Sequence, residues 1–161
     1  MDALALASKS HSIPPRYIMV SAIDVRDRDT KPTPPWYNDA DKARSDKTWG
    51  AIGTYMLAKL AADKALVQGN AERGLEYTIV RPSGLTDEKG SGMVAVGEVG
   101  CTRSVSREDV AGVLVAVVDR EGAKGCVFDV VGGDGRSDEC GVEEGVERVV
   151  REKIDCFEGF Y

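Results

Sequence analysis

Histidine is almost missing from this 161-residue chain, which has only His11. Four cysteines, Cys101, Cys126, Cys140 and Cys156, stand far apart and form no Cys-x-x-Cys pair. A zinc site or a disulfide framework is therefore not expected, and the thiols read as reduced. No stretch approaches the roughly 18 apolar residues that a membrane-spanning helix needs. Residues Met1 to Ala7 carry an acidic second residue and too short an apolar run for a secretory signal. Positive charge is also scarce: the net charge is −6, which gives no general attraction to phosphate backbones or anionic lipid. A cytoplasmic protein that binds neither nucleic acid nor membrane is the expectation. What the chain does have is 42% hydrophobic and 30% charged residues, the balance of one ordinary globular domain over residues 1–161.

The apolar residues are organised in alternating patterns. A short helix over residues 2–9 is followed by Pro14-Pro15, which cannot continue it. Arg16 to Ile23 is a β-prone run of the kind buried on both faces of a parallel sheet. Residues Asp24 to Lys47 read as a long polar loop with Pro32, Pro34, Pro35 and the pair Trp36-Tyr37. Trp49 to Gln68 is rich in Ala, Leu, Met and Lys and predicts the longest helix, stopped at Gly69-Asn70. Leu75 to Val80 predicts a second strand, and Ser83 to Gly100 a glycine-rich loop. Ser106, with Asp109 three residues on, predicts a capped helix through Val118. Cys126 to Val131 predicts a third strand and Cys140 to Lys153 a last helix. This alternation predicts an α/β fold with about three core parallel strands and flanking helices.

Chemistry concentrates at Tyr55 and Lys59, four residues apart on the long helix and so on one face. An ammonium beside a phenol favours the ionised form, which is what a proton relay to an alcohol or carbonyl requires. Spacing alone is weak, because chance places such a pair in about one chain in three of this size. Its setting adds weight: a strand ending in Val20-Ser21, a long loop, the Tyr/Lys helix, then a strand ending Ile79-Val80-Arg81-Pro82-Ser83-Gly84. Together with Arg107 to Ala111 and Phe128 to Gly133, these segments resemble the second half of the short-chain dehydrogenase/reductase superfamily, in its atypical and extended, epimerase- and NmrA-like branches. The resemblance covers about residues 2–150.

That resemblance implies a partial Rossmann-like fold and NAD or NADP as cofactor. It makes Tyr55 the proton relay, Lys59 its electrostatic and ribose-binding partner, and Ser21 the counterpart of the catalytic serine. Arg81, Pro82, Ser83 and Gly84 match the segment beside the nicotinamide. It also implies a glycine-rich strand-to-helix turn for the pyrophosphate. None of the 18 glycines forms one: Gly90/Gly92, Gly97/Gly100, Gly122/Gly125 and Gly132/Gly133/Gly135 all lack a third glycine at the motif's spacing and the strand-then-helix setting. The family's first four strands are expected to precede Met1, leaving the strand from Arg16 with an open edge for self-association or a partner chain. Two readings stay open: acid-base chemistry on a small alcohol or carbonyl, or a non-catalytic dinucleotide-sensing or protein-binding module, including an inactive shortened form. His11 and the alternating charges of Asp24 to Asp29 read as surface groups, Trp36-Tyr37 as a loop anchor, and Cys101 as a small buried residue.

Overall fold

The computed structural model describes residues 1–9 and 15–157; His11 and Pro14 lie outside them. After helix α1 (Asp2–Lys9) come strand β1 (Arg16–Val20), helix α2 (Asp39–Gln68), a single turn α3 (Asn70–Arg73) and strand β2 (Glu76–Pro82). Short β3 (Leu85–Thr86), β4 (Met93–Gly97) and short β5 (Val105–Ser106) lead into α4 (Arg107–Val118). The chain then forms β6 (Val127–Gly132), β7 (Cys140–Gly141) and α5 (Val142–Glu152).

The main sheet has the order β1-β2-β6-β4-β7. The three expected strands are its parallel part, with Val20 opposite Val80 and Arg81 opposite Asp129. Alternation along each strand explains why apolar residues stand side by side in these runs. Ile79 and Val127 face one helical layer with Met56 and Leu60 of α2. Their neighbours Val80 and Phe128 face the other, against Val113 and Val117 of α4 and Val146 and Val149 of α5. Both faces of the sheet are therefore covered, as a parallel α/β sheet requires.

Three sequence expectations are corrected. Helix α2 begins at Asp39, ten residues before the expected start, because Asn38 caps it: its side chain accepts from the Ala40 and Asp41 N–H groups while the Asp41 carboxylate takes the Asn38 N–H. The helix then kinks at Ile52. The glycine-rich stretch contains β4, which pairs antiparallel with β6, Ala95 opposite Val131. Finally, β1 ends at Val20, while Arg81 and Pro82 extend β2 rather than closing it.

Ser106 caps α4 as expected, accepting from the Asp109 N–H. The Asp109 carboxylate does not close a reciprocal box. It accepts instead from the Ser91 and Gly92 N–H groups, tying the loop before β4 to the helix start. No helix among the described residues is long and apolar enough to cross a membrane.

Candidate functional site

Parallel strands leave a crevice beyond their carboxyl ends, where loops diverge to opposite sides of the sheet. Here the ends of β1 and β2 and one face of α2 enclose a cleft of about 740 Å³. From α2 come Arg44, Thr48, Tyr55 and Lys59, at spacings of three to four residues or their multiples, so one helical face lines the wall. Pro82, Ser83 and Gly84 at the end of β2 form part of the opposite wall.

Tyr55 is 48% exposed, and no protein group bonds its hydroxyl among the described residues. The Lys59 ammonium lies 5.6 Å from the centre of the Tyr55 ring. Its position is fixed by donating to the Val20 carbonyl at 2.9 Å. The last residue of β1 thus aims the lysine, and one helical turn sets the tyrosine beside it. Among the described residues the buried Ser83 hydroxyl has no hydrogen-bond partner, and Gly84 beside it contributes no side chain.

Ser21 lines the same cleft but points its hydroxyl elsewhere, donating to Asp63 Oδ2 at 2.8 Å. Asp63 is fully buried. Desolvation pushes its carboxyl above the usual range, against the Ser21 hydrogen bond and the charges of Arg81 and Lys59. Sequence reading missed Asp63, although it stands one turn beyond Lys59 on the seam of Met56 and Leu60. A carboxylate on an otherwise apolar helical stripe was the available signal.

Arg81, expected at the cofactor, is not among the cleft-lining residues. It is 2% exposed and donates to the carbonyls of Ala22, Val25 and Cys156. Its guanidinium lies 3.6 Å from Asp129 and over the Phe157 ring. This arrangement braces the loop that follows β1 from below. Asp24 fastens that loop from the other side. Its backbone is left-handed, with φ 63°, a conformation that Asp tolerates better than most residues. The Asp24 carboxylate accepts from Arg26 Nε at 3.1 Å, Ser45 Oγ at 2.6 Å and Trp49 Nε1 at 3.0 Å. The expectation of a solvated charge run therefore fails for Asp24 and Arg26, both buried. Trp36 and Tyr37 pack edge to face away from the cleft, with Tyr37 in a small apolar cluster beside Val99 and Cys101. Cys101 reaches the cleft wall, but burial, with Asp24 and Asp41 nearby, pushes its thiol up to about 12, which keeps it unreactive.

Known proteins resemble this chain in sequence and fold. A UPF0659 protein of Schizosaccharomyces pombe is 47% identical over 107 residues, 66% of this chain and 42% of the relative. An uncharacterized sugar epimerase of Bacillus subtilis is 34% identical over 119 residues, 74% of this chain and 46% of the relative. A solved structure from Bacillus halodurans, provisionally named an NAD-dependent epimerase/dehydratase, superposes with a TM-score of 0.60 at 31% identity, over 89% of this chain and 56% of that one. The chain spans less than half the length of the curated relatives it matches. The sequence signature described as NAD(P)H-binding runs over residues 1–121. Because that signature takes in β1, α2 and β2 together with the cleft they frame, the chain belongs to the NAD(P)H-binding family, whose fold it shares with short-chain dehydrogenase/reductase-like oxidoreductases and epimerases.

Proposed function

We propose that this cleft is the acid-base half of an oxidoreductase- or epimerase-type site that works with NAD or NADP. The observation that carries the reading is the trio of Tyr55, Lys59 and the Val20 carbonyl: an exposed phenol with a free hydroxyl, next to an ammonium fixed by a strand end. Tyr55 exchanges a proton with a small alcohol or carbonyl compound, a role that typically contributes about 10²- to 10⁴-fold in rate. Lys59 supplies the positive charge beside that proton and a donor for ribose hydroxyls. Ser21 positions the strand end through Asp63 rather than touching the reacting atoms. Arg81 acts likewise from beneath.

The residues present fit the nicotinamide-ribose end of a dinucleotide. The unpartnered Ser83 hydroxyl and the bare backbone at Gly84 offer a polar contact and room for close approach next to Lys59. The pyrophosphate end is different, because the sequence has no glycine-rich turn. When bound, the cofactor supplies the hydride; the protein holds the substrate hydroxyl or carbonyl and handles the proton.

Titrating the chain with NADH and NADPH while following nicotinamide fluorescence, then assaying small aldehydes and alcohols, tests the reading. Tyr55→Phe should lower turnover about 10²-fold or more and leave cofactor binding intact, since the ring is retained on an exposed helical face. Unchanged turnover in that variant, or unaltered cofactor fluorescence at high protein concentration, overturns it. A second reading is a dinucleotide-responsive or protein-binding module without catalysis. Tight cofactor binding with no turnover of any compound would select that one.

A further inference from the structure

The cleft has the opposite charge balance to the protein around it. The chain carries a net charge of −6, yet its cleft walls present Arg44, Lys47, Lys59 and Arg107 against one carboxylate, Asp24. That carboxylate is buried and already engaged by Arg26 at 3.1 Å, so it does not neutralise the space. Two of the cations already have a partner in the protein. Lys59 binds the Val20 carbonyl, and Arg107 meets the exposed Asp87 through Nε at 2.8 Å. Arg44 has no carboxylate partner among the described residues. Its guanidinium passes over Gly84, where an added Cβ would lie 3.6 Å from Arg44 Nη2. An unpaired arginine inside a concave wall is a site for a planar, twofold acceptor, because its fork matches carboxylate and phosphate oxygens.

The layout along α2 separates this cation from the chemistry. Arg44 and Tyr55 are eleven residues apart on the helix, about 16 Å at the backbone before the kink at Ile52 is allowed for. Arg107 reaches the cleft from the start of α4. A ligand that reaches both ends of the cleft therefore carries its anionic group several bonds away from the carbon beside Tyr55. Resting on the acid-base reading above, we propose that the substrate is an anion: a small alcohol or carbonyl compound bearing a phosphate or carboxylate, which Arg44 and Arg107 grip at the far end of the cleft. The net negative charge of the chain sets this basic cleft apart as a place that attracts an anion.

Isothermal titration calorimetry of the full chain separates the sources of that anionic group. The probes are glycerol 3-phosphate, glycerate, uncharged glycerol and NADP. One or both of the anions should bind, with glycerol undetectable, and the stronger of the two identifies phosphate or carboxylate as the group. Arg44→Gln and Arg107→Gln should each weaken that binding about tenfold, the loss expected for one charged hydrogen bond, and both residues are exposed, so the fold is unaffected. The inference is overturned if neither anion binds more tightly than glycerol, or if the glutamine variants bind as the parent does. It is also overturned if those variants weaken NADP but not the small anion, which would give the arginines to the cofactor's phosphates. Calorimetry reads binding without turnover. A chain that grips the anion but never reacts removes the acid-base reading alone; one that turns over only uncharged compounds removes the anion grip alone.

Discussion

Strands β6 and β1 are built from similar apolar residues and lie in one sheet, but they occupy unlike environments. Strand β6 sits between β2 and β4, and all but the last of its residues are buried. Strand β1 pairs with β2 on one side, and among the described residues no strand covers its other edge. Four of its residues are half-buried, and Val20 is exposed. The difference teaches where each kind of work is done. A strand enclosed on four sides supplies stability. One with an open side, ending at a carbonyl that holds Lys59, can aim a side chain at the cleft and still lie accessible.

The comparison is sharpened most by truncation. Phe128→Ala in β6 should lose about 3–5 kcal/mol, because the ring is fully buried against α4 and α5 and leaves a cavity. Ile18→Ala in β1, packed on the same cluster but half-buried, should lose about half as much. Chemical denaturation of the two variants measures both, and equal losses would erase the distinction. A smaller effect is expected from Asp129 in β6. Burial, against the pull of Arg81, pushes its carboxyl up to about 7. The folded chain then keeps this proton over a range in which the unfolded chain has lost it. Stability from this group is therefore complete below about pH 4 and is lost as pH rises toward 7, by at most about 1.4 kcal/mol per pH unit. Asp129→Asn should flatten that part of the stability profile, and an unchanged slope would contradict the assignment. The smallest effect concerns the open side of β1. Unpaired backbone groups on an apolar edge favour association, so light scattering should show an average mass that climbs with concentration. A constant monomer mass would mean that the edge is protected.

Much of the fold could be read from residue order because the three parallel strands are locally encoded. Each is a continuous β-prone run whose two faces both need covering, and Ile79 and Val80 go to opposite layers as that pattern demands. The Tyr55 and Lys59 pairing was legible for the same reason, since helical spacing is local. Strand β4 was not: Met93 to Gly97 becomes a strand only through its antiparallel partner β6, some 35 residues away, and its glycine-rich surroundings read as loop. The early start of α2 did leave a trace, an Asn with an Asp three residues on, masked by the prolines ahead of it. Arg81 was assigned to the cofactor on its position in a motif. Its actual contacts, the Ala22, Val25 and Cys156 carbonyls, belong to segments remote in sequence.

By itself, the sequence determined the α/β alternation, the parallel strands and the phenol-ammonium pair, because each depends on a short period that neighbouring residues define. Only the tertiary structure decided which hydroxyl is free, which charges are buried and which arginines share a wall. Ser21 is spent on Asp63, Asp24 on Ser45 and Trp49, and Arg44 is left facing the cleft. Those outcomes depend on distances between segments that only folding brings together, and on a desolvation that no residue carries in isolation.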